Sequence, residues 1–182
     1  MAGTTEIINI ALARLGESPI QSLDEGTVPA NAAKLLFDSA RQSALRDYNW
    51  SFALRMDSLA RTDAEPVDFR YAFALPHGCL RAIRLRGESP FAVRGNQLFT
   101  DEERPVLEYV ADVPDANDFD SKFSEVLSYK LASELAMPVK GSSELMAQFF
   151  NVYQTLIQQA ASESAREQGN KGSDNPYLEA RV

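Results

Sequence analysis

The sequence has very few of the side chains from which catalytic and metal centres are usually built. Among its 182 residues there is one histidine, His77, and one cysteine, Cys79. One cysteine cannot form an intramolecular disulfide bond or supply the thiolates of a cysteine-based zinc site. One histidine cannot supply a two-histidine metal site, and we expect no histidine-based catalytic triad within the chain.

We also expect neither a membrane-spanning segment nor a secretory leader. No apolar run approaches the roughly 20 residues needed to span a bilayer. The first six residues lack the basic region and the apolar core of a signal peptide. We therefore expect synthesis in the cytoplasm and no membrane partner.

Basic residues are in deficit, and nucleotide-binding motifs are absent. The formal net charge is −8, whereas a free-standing DNA-binding domain usually presents a basic surface. There is no P-loop, no Gly-x-Gly-x-x-Gly and no Gly-x-Ser-x-Gly sequence. An enzyme that uses a nucleotide or a serine nucleophile therefore has no support.

The chain does have the material for one globular core. Hydrophobic residues make up 45% of it and charged residues 24%, which is ordinary for a globular protein. This length is enough to bury one core and is short for two independent ones. We expect a single domain over residues 1–168, followed by a polar, breaker-rich tail over residues 169–182 that is extended on its own.

Apolar residues recur at helical spacing at both ends of the domain. Ile8, Ala11 and Leu15 fall on one helical face, and Gly16 follows them as a C-terminal stop. The same spacing recurs in three later segments, two of which come after an acidic linker over residues 112–118. The predicted helices span residues 4–15, 29–48, 119–137 and 142–167.

Between the second and third helices the pattern changes to short, partly alternating segments. Turn residues separate them, as in the Pro-His-Gly sequence at 76–78. The stretch 50–60 is ambiguous, but its alternating apolar residues favour a strand. We expect one compact antiparallel sheet within a β-module over residues 50–111. The other predicted strands span residues 69–75, 80–86, 91–93, 97–100 and 106–110.

The fold class that follows is α+β. It is an antiparallel bundle of about four helices with an inserted small antiparallel β-module and an extended C-terminal tail. The few reactive side chains have structural interpretations: His77 lies in a turn, and Cys79 begins an apolar strand, which favours a buried thiol. The acidic runs at 101–103 and 112–120 lack the spacing of a calcium loop and are typical of solvated loops. We expect no catalytic residue, no metal site and no cofactor.

Arginine is the only basic residue type between positions 41 and 104, apart from His77. Its planar guanidinium suits both carboxylate pairs at subunit interfaces and phosphate contacts. Strict alternation predicts that Arg84 and Arg86 share one face of their strand and that Arg81 lies on the other. The alternatives are a solvated strand face and a surface that contacts a neighbouring subunit or DNA. The candidate residues for that surface are Arg81, Arg84, Arg86 and Arg94.

Several segments occur in a characteristic order along the chain. They are residues 9–20, 47–52, 71–81, the region of Tyr109, 119–123 and 131–136. Over about residues 6–160, this order resembles the tail tubular protein A family, the head-to-tail adaptors of short-tailed bacteriophages. His77 stands where an acidic or other polar residue is expected in the Leu-Pro-x-x-Cys-Leu turn.

The resemblance implies a structural virion protein of the head–tail junction, made in the host cytoplasm. Such adaptors form a dodecameric ring beneath the twelve-fold portal protein, extend the DNA channel and carry the tail nozzle protein. The helices would form the ring body, and the β-module would face the next tail component. The C-terminal segment would lie along the portal. Its docking anchors would be Asn175, Pro176, Tyr177, Leu178 and Val182.

Transit of the genome through such a ring requires weak contact with double-stranded DNA. Strong phosphate binding would stall the passing duplex, so the contact would be transient and independent of sequence. A net-acidic subunit suits this requirement better than a basic one.

Two other functions remain open from the sequence. The chain could be a virion-associated peptidoglycan hydrolase that draws its acids from Glu88, Asp101 or Glu102. It could instead be a small cytosolic adaptor or regulatory module of non-viral origin, which would remain a monomer. We expect an adaptor without enzymatic activity.

Overall fold

The computed structural model describes residues 3–64 and 66–171, and it describes the side chains of the last helix as far as Glu163. Within these residues, two helices are followed by six strands and then by two more helices. The helices are α1 (Thr4–Arg14), α2 (Val28–Asp47), α3 (Ser121–Leu135) and α4 (Ser143–Lys171). The strands are β1 (Leu54–Ser58), β2 (Tyr71–Ala74), β3 (Cys79–Leu85), β4 (Phe91–Arg94), β5 (Gln97–Thr100) and β6 (Val106–Ala111). The predicted α+β fold class is confirmed.

Short polar side chains set the starts of the two helices that flank the strands. Thr27 Oγ1 accepts a hydrogen bond from Ala30 N at 3.4 Å where α2 begins. Asp120 Oδ1 accepts one from Phe123 N at 2.6 Å where α3 begins. Such caps satisfy amide groups that the first turn of a helix leaves unpaired. Among the helices of the described residues, none combines the length of a bilayer span with a sufficiently apolar sequence.

The third helix ends differently from the prediction. Its α-helical geometry stops at Leu135, and the chain continues through a five-residue π-helical turn, Ala136–Lys140, that contains Pro138. Proline has no amide hydrogen to donate, so α-helical hydrogen bonding cannot continue unchanged through it. Gly141 then adopts the left-handed conformation, with a φ of 64°, and the chain turns into α4.

The strands form two antiparallel sheets, so the prediction of one compact sheet is wrong. Sheet A has the order β1-β6-β3, and sheet B has the order β2-β5-β4. Phe73 and Leu98 of sheet B are buried with Leu85, Leu107 and Tyr109 of sheet A in a small apolar cluster of their own. Burial of these side chains between two sheets is the physical reason for the split. Local alternation identifies a buried strand face but does not identify the sheet to which the strand belongs.

The larger core surrounds α3. Helices α1, α2 and α4 each pack against α3, and Phe123, Leu127 and Leu131 on it are fully buried. Sheet A reaches this core through Val110 of β6. The resulting order of layers is helices, sheet A and sheet B.

A buried ion pair joins α2 to the chain after β6. The Arg41 side chain is 3% exposed and forms an ion pair with Asp112. Its Nη1 also donates to Val113 O at 2.7 Å, and Gln42 Nε2 donates to Asp112 Oδ2 at 2.9 Å. Asp112 N donates to Gly78 O at 2.7 Å, so this junction holds the helices, β6 and the β2–β3 turn together.

Candidate functional site

The described part of the chain contains few of the side chains from which catalytic and metal centres are usually built. Within residues 3–64 and 66–171, no group of three or more His, Cys, Asp or Glu side chains is placed to hold a metal ion. His77 is exposed in its turn, as predicted. Cys79 is half-buried, and this burial raises the pKa of its thiol against the opposing effect of Arg46. A raised pKa keeps the thiol protonated and unreactive at neutral pH.

The three acidic residues considered for a hydrolase lie in turns. Glu88 is exposed in the β3–β4 turn, with a φ of 60°. Asp101 Oδ1 accepts a hydrogen bond from Arg70 N at 2.9 Å. Glu102 follows it directly, and its backbone amide donates to Thr100 Oγ1 at 3.3 Å. The contacts of Asp101 and the Glu102 amide connect the end of β5 to neighbouring backbone.

Strand β3 does not follow the strict alternation that the sequence suggested for its arginines. Its register against β6 shifts twice, between Cys79 and Arg81 and again between Ala82 and Arg84. Arg81 is therefore opposite Val110, and Arg84 is opposite Glu108. These two partners are two residues apart on β6, so Arg81 and Arg84 share a face. The prediction that Arg81 lies on the other face is wrong.

Arg86 continues the same face. Its amide donates to Val106 O at 2.9 Å, and Val106 is again two residues from Glu108. Arg84 and Arg86 both line an open pocket of about 320 Å³, together with Met56 and Glu108. We call the surface formed by Arg81, Arg84 and Arg86 the arginine face.

Most of the candidate arginines have partners within the chain. Arg84 Nε lies 2.5 Å from Glu108 Oε2, and Arg81 Nη2 donates to Asn49 Oδ1 at 2.6 Å. Arg94 is on sheet B, away from the arginine face, and pairs with Asp68 at 2.8 Å. The structure therefore brings three of the four residues onto one face and places the fourth elsewhere. The predicted docking anchors Asn175, Pro176, Tyr177, Leu178 and Val182 lie outside the described residues.

Two surfaces with exposed apolar side chains were not predicted from the sequence. The first, which we call the α2 ridge, consists of Val28 and Leu35, which are 64% and 80% exposed. They are seven residues apart, on the helix face opposite the buried alanines of α2, and this spacing is the sequence signal that could have revealed them. Leu35 is the more informative of these two residues, because it is an exposed leucine on an otherwise polar face.

The second surface is a groove of about 460 Å³ between α4 and the C-terminal end of α2. We call it the α4 groove. It is lined by Asp47, Phe150, Tyr153, Gln154, Ile157 and Gln158. Phe150 is 38% exposed, and Met146, one turn earlier on α4, is 41% exposed. The groove therefore offers a partner a surface of mixed polarity, with Phe150 and Ile157 as its accessible apolar part.

Charged groups frame the α4 groove. Tyr153 Oη donates to Asp47 Oδ2 at 2.5 Å, and burial together with this carboxylate raises the pKa of the phenol. Lys130 Nζ lies 5.3 Å from the ring centroids of Phe150 and Tyr153. The same ammonium pairs with Glu134 at 3.4 Å. The groove thus has an acidic rim at Asp47 and a cation beside its aromatic floor.

Comparison with known proteins does not assign the chain to a family. No protein-family model matches the sequence, and no curated protein sequence matches it either.

Proposed function

We propose that this chain is a structural virion protein, a head-to-tail adaptor that forms a ring between the portal protein and the tail nozzle protein. The observation that carries the proposal is the order of its elements. Two helices, a six-stranded β-module and two further helices follow one another, and this is the order expected from the resemblance to the tail tubular protein A family. The ring, by the same resemblance, is a dodecamer that extends the DNA channel.

The surfaces of the subunit are consistent with assembly. Val28 and Leu35 are exposed on α2, and Met146 and Phe150 are exposed on α4. Met146 and Phe150 are one turn apart on α4, and neighbouring exposed apolar side chains of this kind are common at contacts with other proteins. The proposal therefore assigns the helices to the body of the ring and the β-module to the side of the next tail component.

The charges are consistent with a channel through which DNA slides. The net charge of −8 disfavours tight binding of phosphate by the ring as a whole. Arg84 and Arg94 are neutralised by Glu108 and Asp68. Exposed arginines that are already paired attract the duplex weakly, which suits transient contact.

Deletion of residues 175–182 tests the docking of the chain on the portal. All described elements remain in the shortened chain, so its circular dichroism spectrum and melting temperature should match those of the full chain. We expect it to lose binding to purified portal rings from the same virus, because the proposed anchors Tyr177 and Leu178 are removed. Sedimentation with portal rings measures the loss.

A double variant, Tyr177→Ala with Leu178→Ala, tests the same anchors without shortening the chain. It should weaken portal binding in the same direction as the deletion. Undiminished docking by the shortened chain would remove the C-terminal segment from the proposal.

A further inference from the structure

The described residues carry two surfaces of unlike shape, each with exposed apolar side chains. The α2 ridge projects outward, since Leu35 is 80% exposed on the face opposite the core. The α4 groove is concave, with a volume of about 460 Å³ and a floor that includes Phe150, Tyr153 and Ile157. The projecting leucine can contact Phe150 and Ile157, which are the accessible apolar part of a groove whose other exposed lining residues are polar.

The two surfaces cannot meet within one subunit. Asp47, at the C-terminal end of α2, lines the groove, and Leu35 lies 12 residues earlier on the same helix (47 − 35 = 12). At 1.5 Å per residue, that separation is about 18 Å. Leu35 also faces away from α3, on which both α2 and α4 pack. The ridge can therefore enter only the groove of another molecule.

The charges beside the two surfaces also match. Lys34 adjoins Leu35, and its side chain is 61% exposed. Asp47 is exposed at the rim of the groove. Lys34 already pairs with Asp24 at 2.6 Å, but an exposed pair of this kind contributes little and can exchange partners. A lysine beside the ridge can thus face an aspartate beside the groove.

We propose that the α2 ridge of one subunit packs into the α4 groove of a second copy of this chain, with Leu35 against Phe150 and Ile157. Because ridge and groove are different surfaces, the contact is heterologous, and each subunit keeps one free ridge and one free groove for the next. Repetition of such a contact closes a ring where the rotation allows it. This contact deepens the proposed function and rests on it for the closure of the ring.

Cysteine cross-linking tests the contact most directly. In a Cys79→Ser background, the pair Leu35→Cys and Gln154→Cys is compared with each single substitution, alone at high protein concentration and on portal rings. Only the double variant should form a ladder of disulfide-linked subunits. Dimers from Leu35→Cys alone would show that two ridges face each other, which overturns the heterologous contact.

Charge substitutions give an independent measure that does not depend on oxidation. Leu35→Glu should weaken self-association by about tenfold or more, because it places a carboxylate against Phe150 and Ile157 and close to the Asp47 carboxylate. Val67→Glu is the matched control, since Val67 is 95% exposed and lies in the β-module, and it should leave self-association unchanged. Gln154→Lys added to Leu35→Glu should restore part of the lost affinity.

The outcomes separate this contact from the proposed function. A ring on the portal that forms equally well with Leu35→Glu overturns the contact and leaves the adaptor function standing. Self-association that Leu35→Glu abolishes, without any binding to the portal, supports the contact and contradicts the adaptor function. A wild-type chain that stays monomeric both alone and with portal rings overturns both.

Discussion

Arg41 shows how much a single residue can depend on distant parts of the chain. It is one of ten arginines between positions 41 and 104, and its neighbours in sequence do not distinguish it. Its burial arises because Asp112 and the Val113 carbonyl are brought against α2. The sequence could not predict this pair, since its members lie 71 residues apart.

Arg41→Ala should lower the free energy of unfolding by about 3 kcal/mol or more. The substitution leaves the Asp112 carboxylate without its main partner in a partly buried position. Urea denaturation measures the change. Arg94→Ala is the matched control, because its ion pair with Asp68 is exposed on both sides, and it should cost less than about 1 kcal/mol. Equal losses in the two variants would contradict the assigned role of Arg41.

The buried phenol groups of Tyr109 and Tyr153 should make the free energy of unfolding depend on pH in the alkaline range. Burial, with a hydrogen bond to Asp57, raises the pKa of Tyr109 to about 12. Burial and Asp47 raise the pKa of Tyr153 in the same direction. Both phenols are neutral in the folded protein and ionise more easily once it unfolds. Their contribution to stability is therefore complete below about pH 10, the ordinary tyrosine pKa, and is lost above it.

The double variant Tyr109→Phe with Tyr153→Phe isolates this effect. Its free energy of unfolding should fall less steeply than that of the wild type between pH 10 and 12, because neither residue can ionise. Urea titrations at a series of pH values measure the two slopes. Identical slopes would show that these phenols ionise equally readily in the folded and unfolded states.

At the scale of elements, the aromatic side chains around the start of α3 join the helices to the β-module. Phe123 is fully buried, and its ring centroid lies 5.1 Å from Trp50, 5.2 Å from Phe52 and 4.8 Å from Phe119. Edge-to-face contacts of this kind stabilise a core beyond the area that they bury. The cluster fixes α3 against the segment that leads from α2 into β1.

Phe123→Ala should cost about 3–5 kcal/mol of unfolding free energy, since it leaves a cavity in the middle of this cluster. Phe150→Ala offers a matched control on α4, because Phe150 is 38% exposed. That variant should cost about 1 kcal/mol or less. Thermal and urea denaturation of both proteins provide the comparison, and a similar loss in each would argue against α3 as the centre of the core.

The sequence predicted most elements because their signals are local. The spacing of Ile8, Ala11 and Leu15 was enough for α1, and alternation was enough for most strands. Strict alternation gave the wrong face for Arg81 in β3, because two shifts of register bring Arg81 and Arg84 to the same face. A shift of register depends on the partner strand β6, and nothing within β3 itself records it.

At the scale of the whole molecule, the main error was the prediction of one sheet where the strands form two. The alternating pattern is compatible with one sheet and with two. Only the packing of Phe73 and Leu98 against sheet A distinguishes the two arrangements. One of the two exposed surfaces with apolar side chains, the α4 groove, was missed for a related reason. The helical pattern of α2 is enough to place Leu35 opposite the buried face, but the α4 groove becomes evident only after α2 and α4 have been positioned.

The central claim is that the chain forms a ring on the portal. Purified protein is mixed with purified portal rings from the same virus and examined by native mass spectrometry and electron microscopy. The account predicts a second ring of twelve subunits stacked on the portal. Two folded partners that do not associate under these conditions would contradict the claim and favour a monomeric adaptor module or a hydrolase.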